Sequence, residues 1–171
     1  MRLFLISGKA GSGKNEVAGI IKEYLPKTVI TSLSKYIKLF AIEMTEWKYD
    51  DENNKPRTFL QTMGDELRSI DQNFLTKRIY EDIDLYKKYY DNVVLSDVRL
   101  INELFYFKEK ENIEVITIRV NSLESKRELS NEEKNHLTEI ELDNYEFDYI
   151  IENDFNSDLK DKVISILKGL K

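Results

Sequence analysis

The sequence predicts an α/β fold, a five-stranded parallel sheet with helices on both faces. Three observations lead there. Five short apolar runs are nearly unbroken, as strands buried on both faces of a parallel sheet must be. Stretches of helical periodicity separate them, which is the strand–helix alternation of right-handed crossovers. A glycine-rich loop joins the first run to the first helix.

The first strand is Leu3–Ile6. The loop Gly8-Lys9-Ala10-Gly11-Ser12-Gly13-Lys14-Asn15 follows it and holds three of the six glycines of the chain. It matches the G-x-x-x-x-G-K pattern of a phosphate-binding loop, set between a strand and a helix as the mechanism requires. Successive backbone N–H groups wrap a phosphate, and the following helix aims the positive end of its dipole at the same anion. Lys14 adds a point charge for the outer phosphates. Lys9 either touches phosphate or points into water. The next position, often a Ser or Thr whose hydroxyl binds magnesium, is Asn15.

Val17, Ile20, Ile21, Tyr24 and Leu25 form the apolar face of the first helix, and Val29–Ile30 is the second strand. About sixty residues, mostly helical in pattern, precede the third strand. In open α/β sheets ligands sit beyond the carboxyl ends of the strands, so this insertion, about 34–90, is a candidate acceptor-binding region. Lys38, in Ser34-Lys35-Tyr36-Ile37-Lys38, reads by composition as a surface lysine. In Pro56–Ile70, Arg57, Gln61, Gly64 and Arg68 fall at helical spacing on one polar stripe. Two arginines with a glycine between them let a phosphate approach the helix closely, and the planar fork of arginine suits it. A solvated face with a tolerated glycine is the alternative. Leu60, Met63, Leu67 and Ile70 lie on a neighbouring face and are expected to bury. Trp47, Tyr86, Tyr89 and Tyr90 read as packing groups.

The third strand, Val93–Leu95, runs into Ser96-Asp97-Val98-Arg99. A strand-end Asp97 can hold magnesium directly or through water, and Arg99 can reach a transferred phosphate. The alternatives are a helix cap and a surface ion pair. A helix around Leu100, Leu104, Phe105 and Phe107 leads to the fourth strand, Val115–Ile118. The polar segment about 121–142 is a candidate lid, where Lys126 and Arg127 beside Glu124 and Glu128 also fit ordinary helix pairing. The fifth strand is Tyr149–Ile151. Leu159, Val163, Ile166, Leu167 and Leu170 mark a last helix, capped by Ser157 or Asn156.

At 171 residues the chain is expected to form one domain, 1–171. A net charge of −6 argues against a nucleic-acid partner. No cysteine and a single histidine exclude a disulfide framework and a zinc centre. The first residues lack a signal-peptide pattern and no apolar stretch reaches membrane-spanning length, so a cytoplasmic protein without a membrane partner is expected.

Taken in order, Gly8–Asn15, the Arg57–Arg68 stripe, Ser96-Asp97-Val98-Arg99, Ile118-Arg119-Val120, His136-Leu137-Thr138-Glu139 and Phe147–Asn153 resemble the phage-type deoxynucleoside monophosphate kinases. The animal-type phosphomevalonate kinases, a related P-loop group, are similar in the same places, and Leu142-Asp143-Asn144 with Phe147-Asp148 is closer to them. The resemblance implies a P-loop NTPase of nucleoside-monophosphate-kinase-like fold, with ATP, magnesium, a small phosphorylated acceptor and a closing lid. It implies Gly8, Lys9, Ala10, Gly11, Ser12, Gly13, Lys14 and Asn15 at the donor phosphates. Asp97 and Asn15 would stand at magnesium, the latter through water. Lys38, Arg57, Gln61, Arg68 and Arg99 would serve the acceptor, with Arg127 from the lid. In both groups the position of Asn15 is commonly Asp. The stretch between Trp47 and Arg57 is shorter here than in the phage enzymes, so base preference does not carry over. Phosphomevalonate kinase-like activity, or nucleotide binding with little transfer, are the alternatives. Monomer and homodimer are both open.

Overall fold

Strands and helices alternate along the chain as the apolar runs require. The computed structural model describes residues 1–49, 51, 53–122, 141–155 and 158–170. Strands β1 (Arg2–Ser7), β2 (Thr28–Thr31), β3 (Asn92–Leu95), β4 (Glu114–Asn121) and β5 (Tyr149–Glu152) form one sheet in the order β2-β3-β1-β4-β5. Every pairing is parallel; Arg2 stands opposite Asn92 on one side and Glu114 on the other. The helices are α1 (Lys14–Tyr24), α2 (Lys35–Met44), α3 (Arg57–Ile70), α4 (Phe74–Tyr86), α5 (Ile101–Lys108) and α6 (Leu159–Gly169).

Successive side chains of a strand point to opposite faces, and the core divides accordingly. Phe4, Ile6, Val94, Ile116, Ile118 and Val120 pack on one face against Val17 and Ile21 of α1 and Val163 and Leu167 of α6. Leu3, Leu5, Val93 and Leu95 pack on the other against Ile79 and Ile83 of α4 and Leu104 and Phe107 of α5. Helices therefore cover both faces. No helix among the described residues is long and apolar enough to cross a membrane.

The insertion after β2 is helical, as its pattern predicts, but α3 is turned differently from the expectation. Ile70, expected to bury, is 77% exposed, and the buried residue of α3 is Gly64. A side chain at Gly64 would press on Arg68 and reach Ile37 of α2. The polar stripe faces inward at Arg68, which meets the buried Glu103, and Leu60, Met63 and Leu67 are left half-covered. Trp47 is a packing group, buried, its Nε1–H donating to the Asp51 carbonyl at 2.8 Å. Asn156 and Ser157 lie outside the described residues, and the residue flanking α6 is Asp158.

Candidate functional site

Loops leave the adjacent strands β1 and β3 toward opposite faces, β1 into α1 and β3 toward α5. That divergence opens a crevice at the carboxyl edge of the sheet, where α/β proteins bind ligands. The glycine-rich loop and Ser96–Arg99 are its two walls, joined where the Val98 N–H donates to the Ile6 carbonyl at 3.3 Å.

The loop's shape depends on two glycines. Gly8 has φ +152°, and a Cβ there would lie 2.3 Å from the Val120 carbonyl oxygen. Gly13 has φ +96°, and a Cβ there would lie 2.2 Å from Asn153 Nδ2. Both conformations disfavour any other residue. Within the loop, Ser12 Oγ is the one buried side-chain polar atom without a hydrogen-bond partner among the described residues. The Glu16 and Val17 N–H groups both donate to the Gly13 carbonyl at 3.0 Å, and the amides of Lys14 and Asn15 precede these bonds at the helix N-terminus. An orphaned hydroxyl, a helix N-terminus and a cradle that a Cβ would fill suit an oxyanion.

Lys14 is buried and donates to the carbonyls of Gly8 and Lys9, both at 2.6 Å. Its pKa is lowered to about 7, first by burial and then by the charge of Arg99, with Arg119 adding and Asp97 opposing. Lys14, Arg99, Arg119 and Asp97 therefore share one electrostatic neighbourhood.

Arg99 links this neighbourhood to the Arg57–Arg68 stripe. Burial is the largest influence on its pKa and lowers it; Asp97 and Glu103 oppose the shift, and Arg57 and Arg68 add to it. Arg57 and Arg68 of α3 and Arg99 beyond β3 stand in one cluster, with Gln61 half-buried on α3. Glu103 organises them. It is 2% exposed, accepts from the backbone N–H groups of Arg99 (2.8 Å) and Leu100 (3.1 Å), and meets Arg68 Nη2 at 3.3 Å. Burial pushes its pKa up, and Arg68 opposes that shift. Glu103→Ala would take the buried acid from a half-buried arginine and leave two amides without their acceptor. It is expected to cost about 3 kcal/mol, read as a lower urea midpoint at unchanged slope.

Asp97 is engaged more fully than its sequence setting suggests. Its Oδ1 accepts from the Leu33 N–H at 2.7 Å, and its Oδ2 accepts from the Ser34 N–H at 3.1 Å and Ser34 Oγ at 2.6 Å. It ties the end of β3 to the start of α2. Lys38 approaches from α2, its Nζ 3.4 Å from Ser32 Oγ. Asn15 is exposed at the start of α1. No group of three or more His, Cys, Asp or Glu suited to a metal occurs among the described residues. Magnesium needs only one or two protein oxygens when phosphates and water complete its shell. The donor set therefore admits a water-mediated ion beside Asp97 and Asn15.

Arg119, Asp143 and Glu103 carry no role in the sequence reading. Arg119, 9% exposed, donates to Ser7 Oγ at 3.1 Å and meets Asp143 Oδ1 at 2.5 Å. Lys9, exposed, meets the other oxygen of Asp143 at 3.3 Å. Asp143 thus joins the loop to β4. The signal for Arg119 was legible: a cation between Ile118 and Val120 in an otherwise apolar strand. Nothing local marks Glu103 or Asp143. Arg127 and most of the segment 121–142 lie outside the described residues. No protein-family model matches the chain, and no curated protein matches it.

Proposed function

We propose that this chain is a small-molecule kinase of P-loop NTPase, nucleoside-monophosphate-kinase-like fold, moving the γ-phosphoryl group of ATP onto a phosphorylated acceptor. A (deoxy)nucleoside monophosphate fits the resemblance best, and phosphomevalonate is the second acceptor. One observation carries the reading: in a chain of net charge −6, five cations crowd one crevice. Lys14, Arg57, Arg68, Arg99 and Arg119 meet Asp97, Glu103 and Asp143 there, with the exposed Asp65 also beside Arg68. Such an excess favours a ligand with several negative charges.

Phosphoryl transfer asks a protein for placement and charge rather than covalent chemistry. The loop amides, Ser12 Oγ and Lys14 hold the donor phosphates. Arg57, Arg68 and Arg99 hold the acceptor phosphate across the crevice, joined by Lys38 of α2 and Gln61 of α3. Arg119 stands on the donor side and offsets charge between the two. Magnesium, held through water beside Asp97 and Asn15, would supply charge neutralisation at the donor phosphates.

The test is a coupled assay of ADP release with ATP, magnesium and a panel of monophosphates plus phosphomevalonate. Acceptor-dependent turnover with at least one member is expected; turnover with none refutes the kinase reading. A second reading, nucleotide binding with little transfer, draws on the full engagement of Asp97 and the uncharged Asn15. ATP binding by calorimetry without acceptor-dependent ADP release would favour it.

A further inference from the structure

Asn153 belongs to no part of the chemistry described so far, yet it touches the phosphate loop from behind. It follows β5 and is 1% exposed. Its backbone N–H donates to the Asn121 carbonyl at 2.8 Å, so β4 and β5 remain paired up to it. Its side-chain Oδ1 accepts from the Phe155 N–H at 3.0 Å, and its Nδ2 donates to the Ser12 carbonyl at 2.9 Å, although 141 residues separate the two. That same Nδ2 occupies the space a side chain at Gly13 would need.

We infer that Asn153 is a positioning residue that sets the conformation of the phosphate loop. The Ser12 carbonyl is pinned toward Asn153, so the peptide between Ser12 and Gly13 has one orientation, with its N–H turned away from the pinned oxygen. The same anchor fixes the residue that carries the orphaned Ser12 Oγ. The position needs one donor and one acceptor at a fixed reach, which a primary amide supplies. An aspartate would keep the acceptor for Phe155 but set a carboxylate oxygen against the Ser12 carbonyl.

The inference rests on the loop being a phosphate site, and inorganic pyrophosphate is the probe that separates the two claims. Calorimetry compares the parent chain with Asn153→Ala and Asn153→Asp, and thermal melts report whether each variant is folded. If the parent does not bind pyrophosphate, the phosphate reading itself fails. If it binds, Asn153→Ala is expected to bind roughly tenfold more weakly, the scale of one lost hydrogen bond, with Asn153→Asp weaker still. In the coupled assay the KM for ATP should rise while the KM for the acceptor stays put, a split that general destabilisation would not produce. Equal affinity in the parent and Asn153→Ala overturns the inference, as does weakening confined to Asn153→Asp, which would be charge alone. If Asn153→Ala does not fold, Asn153→Ser, with a shorter hydroxyl donor, stands in for it under the same criteria.

Discussion

Lys14→Met should lower acceptor-dependent phosphoryl transfer by about a thousandfold, the scale of removing one preorganised charge from a transition state. Stability should change little, because loss of the hydrogen bonds to the Gly8 and Lys9 carbonyls is offset by removal of a buried ammonium that no ion pair holds among the described residues. Loss of rate with a melting temperature near that of the parent is the diagnostic pair; a variant that transfers at the parent rate contradicts the assignment. The lowered pKa adds a signature. Between about 7 and the ordinary 10.5, the unfolded chain holds a proton on Lys14 that the folded chain lacks. Stability from this group therefore rises with pH across that window and is lost as pH falls through it. A bound polyphosphate favours the ammonium and reverses the trend. Pyrophosphate binding at pH 8 is expected to take up a proton, measured by calorimetry in buffers of different ionisation heat, and Lys14→Met should abolish that uptake.

Gly8→Ala should be the most damaging single-methyl change. The new Cβ meets the Val120 carbonyl oxygen at 2.3 Å, backbone that the β4–β5 ladder holds in place, and φ is +152°. Left-handed strain and overpacking together should cost roughly 3 kcal/mol. The same methyl would lie 2.6 Å from Ser12 Oγ and crowd the hydroxyl assigned to phosphate. Chemical denaturation and pyrophosphate titration should therefore both respond. Gly19→Ala is the control: nothing lies within 4 Å of a Cβ there, and alanine favours the helix. A Gly8→Ala protein as stable as the parent would show that the loop is looser than its contacts imply.

The fold was legible because each strand advertises itself by an apolar run. The runs located all five strands, and the structure extends each by one to a few residues into flanking polar positions such as Asn92, Asn121 and Glu152. The glycine loop was equally legible, since its spacing states a backbone conformation. Side-chain partners were not. Spacing identified the stripe Arg57–Arg68 but could not say which face of α3 would turn inward; that was settled by Glu103, thirty-five residues beyond Arg68. Asp97 looked like a cap for the helix ahead of it or a metal ligand, and its contacts are to Ser34, sixty-three residues behind. Local pattern carries propensity and periodicity, whereas these partners are chosen by how the elements dock.

The strand order bears on how the molecule is made. β1 is the middle strand, and its partners begin at Asn92 and Glu114. Such distant pairings make parallel sheets slow to assemble, because loop closure precedes the reward. On the ribosome, the glycine loop emerges early and waits for more than a hundred residues before both neighbours of its strand exist. Its anchor at Asn153 arrives later still. The glycine loop, although encoded ahead of its partners, acquires its shape only after β4 and Asn153 have been made. A nucleotide that binds only the finished cradle would pull folding to completion by mass action.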